Sequence, residues 1–318
     1  MKMTTHTAVI LSPESNFMAE VDSIKIFGSI ASALSELDRD KFNRFYSSVK
    51  TGETRISSSF PLIKDTHLFP MPIYSFEYDK DLSEKSENIE VFTKIKEIKK
   101  TEFVSQSVFE EILNNKPKLG DILEKIESGE WRLDKKCLYL DEEDELEEKN
   151  FLIKRYEIPK NVLNRYTYGS TIFYSQAHFY NCDLFFLVKT SKGILKLINA
   201  ALKLLEDRGM SQDFSIGFGK FMLRNIKEIE LNEPGGGGMI LLSKYHPDEN
   251  EIELINSCNK YYRIKEIKGF TNNGFHIPPY IFFREGSCFK LNGIKGKLID
   301  IPDARTSLNG IAYYIKSR

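Results

Sequence analysis

The stretch CDLFFLVKTSKGILKLINAALKLLEDRG, Cys182 to Gly209, decides the fold class. Its opening, CDLFFLVKT, is a compact apolar run of the length and composition of a buried strand. The remainder repeats on a helical period, with Ile194, Leu197, Ile198, Ala201 and Leu205 on one stripe. Gly209 stands where such a helix closes. A glycine hinge, SIGFGKF (Ser215 to Phe221), follows, and LRNIKEIEL beyond it reads as a strand. Strand, helix, hinge and strand therefore succeed one another within about fifty residues.

The N-terminus shows the same order. HTAVILSP reads as a strand stopped by Ser12 and Pro13, and IKIFGSIASALSELD as a helix with Phe27, Ile30, Leu34 and Leu37 on one face. Gly28, Ala31 and Ala33 are small enough to let that helix lie close on a sheet. Strand–helix–strand twice over predicts an α+β fold of two ferredoxin-like (RRM-like) domains, 1–180 and 181–318, the second carrying the glycine-rich loop. Residues 51–72 are punctuated by Ser, Pro and Gly and read as loop with short strands. The charge-rich segment from about 79 to 150 reads as an inserted lobe with helices at SVFEEILNN and GDILEKIE. GGGG at 235–238 sets off MILLSKYHP, and the tetrapeptide IKEI, at Ile95, Ile226 and Ile264, stands each time in a strand-like context.

Composition excludes several classes. With 318 residues, 41% hydrophobic and 29% charged, the chain is of globular type with a real core. No run approaches the roughly 20 apolar residues of a membrane span, and no secretory leader is visible, so a cytoplasmic protein without membrane contact is expected. Cys137, Cys182, Cys258 and Cys288 lie far apart, and no two of the five histidines stand at metal spacing. Neither a metal site, a cofactor nor a disulfide framework is expected. Net charge is −1, but DEEDELEEK (141–149) carries −6 alone, leaving the rest at +5. That remainder is compatible with an RNA partner without demanding one.

SIGFGKF fails as a P-loop, because Lys220 is followed by Phe221 and the leading glycine is missing. It fails as a dinucleotide fingerprint, because it joins helix to strand. Two readings stay open: a plain turn, with Gly217 and Gly219 at positive φ, or a loop whose amides approach an RNA phosphate beside Lys220. In FLIKRYEIPKNVLNRYTYGSTIFYSQAHFY (151–180), Lys154, Arg155, Lys160 and Arg165 interleave with Tyr156, Tyr166, Tyr168, Phe173 and Tyr174. Cations for phosphates and rings for bases make a single-strand RNA surface, and Asn164, Thr167, Ser170 and Thr171 add donors. An ordinary hairpin with exposed tyrosines is the alternative. No nucleophile motif appears; His178 reads as a strand residue, and His6 could act only if a Tyr or Lys joined it in space.

IFGSIASAL, FPLIKDTHLFPMP, NRYTYGSTIFY, SIGFGKF, LLSKYHP and YIFFREGSCF occur in the order seen in one family. Through them the chain, from about Ile24 to Phe289, resembles the RAMP-superfamily subunit that caps the guide-RNA 5′ end in type III-A CRISPR effector complexes, the fourth-subunit family of the Csm set. One departure is the approach MSQDF (210–214), which leaves only Arg208 as a cation upstream of the loop. The resemblance implies two RAMP domains, no catalytic role and binding of the crRNA 5′ tag. It also implies contacts with the large palm-domain subunit and with the backbone RAMP subunit. The expected RNA-binding set is Asn164, Arg165, Thr167, Tyr168, Ser170, Thr171, Ser215, Gly217, Phe218, Gly219 and Lys220. Other classes remain: a metal-independent endoribonuclease of guide precursors, which needs a base beside the phosphate, and the equivalent type III-B subunit.

Overall fold

The computed structural model describes residues 2–73, 89–147, 149–210, 213–271, 275–304 and 306–318. Its first unit is built from β1 (Lys2–Pro13), α1 (Ser23–Leu37), β3 (Phe60–Ile63), β10 (Asp183–Lys189), α6 (Lys192–Arg208) and β11 (Phe221–Glu233). These strands pair antiparallel in the order β11-β1-β10-β3, the 4-1-3-2 order of a ferredoxin-like unit. Helix α2 (Arg39–Thr51) and the short β2 (Arg55–Ile56) lie between α1 and β3.

The apolar runs of β1 and β10 have no polar alternation because both sheet faces are buried. On one face Val9, Leu11, Phe186 and Val188 pack with Phe27, Ile30 and Leu34 of α1 and with Ile198 and Leu202 of α6. On the other, Ala8, Ile10, Phe185 and Leu187 meet Phe109, Trp131, Ile240 and Tyr313. Asp22 caps α1, its carboxylate accepting from the Lys25 amide at 3.0 Å.

Everything from β4 to β9 is inserted between β3 and β10. β4 (Thr66–Pro70), β5 (Phe103–Ser105), β7 (Cys137–Leu140) and β6 (Trp131–Asp134) continue the sheet beyond β3, β5 and β7 running parallel. Helices α3 (Ile89–Lys99), α4 (Gln106–Asn115) and α5 (Leu119–Glu127) belong to this lobe, the last two where SVFEEILNN and GDILEKIE placed them. β8 (Ile153–Leu163) and β9 (Ser170–Tyr180) form a separate two-stranded hairpin. Residues 79–88 and 148 of the expected insertion lie outside the described residues.

The C-terminal unit repeats the topology with one element replaced. β12 (Gly238–Leu241), β13 (Lys260–Tyr261), β16 (Cys288–Phe289) and β19 (Tyr314–Ser317) pair in the order β13-β16-β12-β19. Read from the other edge, this is again 4-1-3-2, with α7 (Ile252–Ser257) as the first helix. In place of a second helix, between β16 and β19, stands the hairpin β17 (Leu298–Ile301) and β18 (Thr306–Asn309). A further hairpin, β14 (Ile264–Phe270) and β15 (His276–Phe283), precedes β16.

Four expectations are corrected. A boundary at 180/181 would cut the first sheet, since β10 and β11 flank β1; the glycine loop thus belongs to the first unit and the second begins after β11. IKEI at Ile95 lies in α3, where Ile95 and Ile98 are buried three residues apart, as a helix requires. Leu37 is 47% exposed at the end of α1, past the reach of the sheet. Gly28 faces outward with open space around it, so it does not set the helix–sheet distance.

Candidate nucleic-acid interface

The β8–β9 hairpin is paired in register from Ile153/Tyr180 to Leu163/Ser170. Its base is anchored by Ala177, His178 and Tyr180, all buried. Its outer half is exposed on both faces, leaving Val162, Leu163, Ile172 and Tyr174 uncovered. At the tip, Asn164 Oδ1 accepts from the amides of Tyr166 (2.9 Å) and Thr167 (3.2 Å), and Thr167 Oγ1 accepts from Gly169 N at 3.3 Å. Asn164 and Thr167, expected as RNA donors, thus also shape the turn. That turn, with Tyr168 at φ +54°, holds Tyr166 and Tyr168 outward at 97% and 89% exposure. Arg165 is exposed beside them and has no ion-pair partner among the described residues.

Strand alternation divides the remaining expected residues. Thr171 shares a face with Lys160 and Phe173, whereas Ser170 shares the opposite face with Tyr174. The Lys160 ammonium pairs with the Asp213 carboxylate at the start of the glycine loop, so the first of these faces lies against that loop. The two segments read separately in the sequence are therefore neighbours.

The loop is both a turn and a docked strap. Gly217 and Gly219 have φ of +95° and +76°, as the turn reading requires. The amides expected to approach phosphate are already used: Gly217 N donates to Phe214 O (3.0 Å), Gly219 N to Asn16 O (2.7 Å) and Lys220 N to Ser15 Oγ (2.9 Å). Phe214 belongs to the loop itself; the other two acceptors come from the N-terminal segment 14–17, which runs beside the loop and also pairs Phe17 with His178 through two backbone bonds of 2.9 and 2.7 Å. What the loop leaves outward is side chain: Ser215, Ile216 and Lys220 are exposed. Arg208 is paired with Glu36 and lies over the Phe214 ring, so it is not free for a ligand. Ser211 and Gln212 of MSQDF lie outside the described residues. Ser15 and Asn16, absent from the sequence-derived set, complete the site; SPESN after a strand reads only as a stop.

Beyond the hairpin base opens a cleft of about 750 Å³. Arg155, Gln176, His178 and Tyr180 line it from the hairpin, and Arg263, Lys265 and Arg284 from the C-terminal unit. Burial lowers the pKa of His178, so the ring stays neutral at physiological pH. His6 is joined by Tyr313, whose hydroxyl lies 2.8 Å from Nδ1, and by Glu233, 3.0 Å from Nε2. The condition set for His6 as a base is met in distance, but the group is nearly buried and joins β1 and β11 to the C-terminal unit. No group of three metal-ligating side chains occurs among the described residues. No helix among them is long and apolar enough to cross a membrane.

LLSKYHP and REGSCF, far apart in sequence, meet in the C-terminal unit. Leu241 N donates to Ser287 O at 2.9 Å, Gly286 N returns to Leu241 O at 2.8 Å, and Lys244 Nζ reaches both Glu285 oxygens at 2.6 Å. Residues 235–314, which contain both motifs, match the CRISPR Csm4 C-terminal domain. A curated relative, CRISPR system Cms protein Csm4 of Thermococcus onnurineus (strain NA1), is 23% identical over 291 residues, covering 91% of this chain and 88% of its own. The chain thus carries a Csm4 C-terminal domain and is similar to a Csm4 protein along most of its length. The fold agrees with solved Csm4-containing structures. A chain of the Csm3–Csm4 subcomplex of the type III-A CRISPR-Cas interference complex superposes with a TM-score of 0.71 at 19% identity, covering 98% of this chain and 99% of that one. A chain of the Csm1–Csm4 cassette in complex with AMPPNP gives 0.64 at 17%, covering 99% and 98%. The α+β RAMP fold of two ferredoxin-like units with an inserted lobe is thus that of Csm4 proteins. In this chain the inserted lobe carries the hairpin.

Proposed function

We propose that the chain is a non-catalytic RNA-binding subunit of a type III-A CRISPR interference complex that recognises the crRNA 5′ tag. It bridges the large palm-domain subunit, as in the Csm1–Csm4 cassette, and the backbone RAMP subunit, as in the Csm3–Csm4 subcomplex. The observation that carries the RNA reading is the ion pair of Lys160 with Asp213, which sets the tyrosine-rich hairpin beside the glycine loop. The hairpin tip presents Arg165 and two exposed rings and the adjoining loop presents Lys220, cations for phosphate and π-faces for bases. The loop acts through Lys220 and Ser215 rather than through its amides. The nuclease reading has less support, since the His6 group is buried away from this surface.

The test is binding of the purified chain, with the large subunit, to 5′-tag RNA and to a scrambled sequence. Tag RNA binds more tightly, Arg165→Ala and Lys220→Ala each weaken it, and affinity falls steeply with salt. Equal affinity for both RNAs, unchanged in the two variants, would overturn the reading. Cleavage of repeat RNA by the chain without metal would restore the nuclease.

A further inference from the structure

The 750 Å³ cleft has the walls of a nucleotide site, but in the free chain three of its cations, Arg155, Lys265 and Arg284, face its own carboxylates. Five lining side chains are Lys or Arg and three are Glu, so the walls are net positive. Arg155 meets Glu102 through two bonds of 3.2 and 3.1 Å, and Glu102 also takes the Lys136 ammonium at 2.6 Å. Across the cleft Glu20 binds Lys265 at 3.0 Å and lies 3.8 Å from Arg284. The third acid, Glu285, is engaged below by the buried Lys244. Arg263 is exposed at the edge with no ion-pair partner among the described residues.

Glu102 and Glu20 therefore sit as phosphates would: a fork-to-fork bond on an arginine, and a bridge between a lysine and an arginine. These pairs are part-exposed, with Glu102 and Glu20 near 30%, so they are not core salt bridges fixing the fold. A polyanion can displace Glu102 at modest cost, and Glu20, which also feels the buried Lys244 charge, at a larger one. The remaining wall offers Gln176, the neutral His178 ring and Tyr180, polar and flat groups suited to a base. This wall is the base of the same hairpin whose tip carries Arg165, and strand alternation puts Ser170 and Tyr174 on its face.

We propose that this cleft receives a phosphodiester-linked nucleotide of the guide RNA, with Glu20 and Glu102 acting as internal phosphate surrogates that hold its cations until RNA displaces them. The inference rests on the RNA reading above and adds a second contact region and a built-in competitor. The surrogates weaken binding to any short or weakly held polyanion and leave a continuous strand, anchored also at the hairpin tip, able to displace them.

The experiment compares 5′-tag RNA affinity and its salt dependence across four variants of the full chain with the large subunit. Glu20→Gln and Glu102→Gln each free cations: affinity rises several-fold at low salt, and the log–log salt slope steepens by about 0.7 for each further phosphate neutralised. Arg263→Ala weakens binding and flattens the slope by about the same amount. Lys220→Ala is the reference for the hairpin–loop surface. Thermal melting of each variant separates binding from folding, and a 4-thiouridine-substituted tag RNA is expected to cross-link to the peptide containing Gln176 to Tyr180. If the Glu20, Glu102 and Arg263 variants bind like the parent, or the glutamine variants bind more weakly while still folded, the cleft proposal fails. Weaker binding by Lys220→Ala in that case leaves the hairpin–loop reading standing; loss of tag preference throughout sinks both.

Discussion

His67 shows what burial does to one side chain. It lies on β4 with its ring edge-on to Phe185 at 4.8 Å, and its Nε2 has no hydrogen-bond partner among the described residues. Burial, aided by the Lys227 charge, lowers its pKa from 6.5 to about 4. The folded form thus holds the ring neutral where the unfolded chain would protonate it. Its contribution to stability is complete above about pH 6.5, declines as pH falls, and levels off near pH 4. The excursion is about 3 kcal/mol, from the roughly 1.4 kcal/mol that each pH unit between the two values is worth. His67→Phe keeps a ring against Phe185 and removes the proton, so its urea stability depends less on pH between 7 and 4.5 than the parent's. Parallel pH profiles for the two proteins would refute this. A lone histidine in a strand reads as structural from sequence, and His67 is so; its titration depends on a neighbour 160 residues away in β11.

At the scale of elements, the hairpin is the part most separable from the core. Residues 162–171 are exposed, and Asn161 and Ile172 face each other in register. Replacing 162–171 by Asn-Gly therefore closes the ribbon with a two-residue turn of the favoured type. The melting temperature should move by no more than about 2 °C, because no buried side chain is lost. Two tyrosines and Arg165 are lost, and at about 1–3 kcal/mol per stacked base the RNA affinity falls at least tenfold. Retained affinity would move the site elsewhere; a large drop in melting temperature would mean that the tip is structural. The periods of β1, α1, β10, α6 and β11 were legible because each buries a continuous stripe. α2 was not, because RDKFNRFYSSVKT is largely polar and buries only Phe45, Ser48 and Val49. The hairpin's composition was legible, but not its two faces, since alternation takes meaning only once Lys160 meets Asp213. The loop glycines were legible as a turn, while the engagement of the Gly219 and Lys220 amides depends on Asn16 and Ser15, some 200 positions away.

Across the whole molecule the two ferredoxin-like units are fused rather than linked. Ile240, Leu242, Tyr313 and Ile315 of the second share one core with Ala8, Phe185 and Ile229 of the first and with Phe109 and Trp131 of the lobe. That fusion is what a boundary drawn between sequence halves misses, because strand order, unlike periodicity, is set by partners distant in the chain. Within it lies a fully buried cation. Lys244 holds Glu285 at 2.6 Å, lies 3.8 Å from Asp22, and donates its backbone N–H to Ser23 Oγ at 3.0 Å. The start of α1, in the first unit, is thereby keyed to LLSKYHP and REGSCF in the second. Burial alone would lower the Lys244 pKa, but Glu285, Asp22 and Glu20 outweigh it and raise the value, so the side chain stays charged. Removing one partner of such a set leaves buried carboxylates uncompensated, and Lys244→Ala should cost about 3–5 kcal/mol in urea unfolding. Removing both members of the tightest pair is different, because apolar groups of similar volume can replace a buried ion pair at little cost. Lys244→Met combined with Glu285→Leu should therefore be less destabilised than Lys244→Ala, since Asp22 and Glu20 keep Lys265 as counter-charge. If the double variant is instead the less stable of the two, the network's charges are not what joins the units, and the shared apolar core alone holds them together.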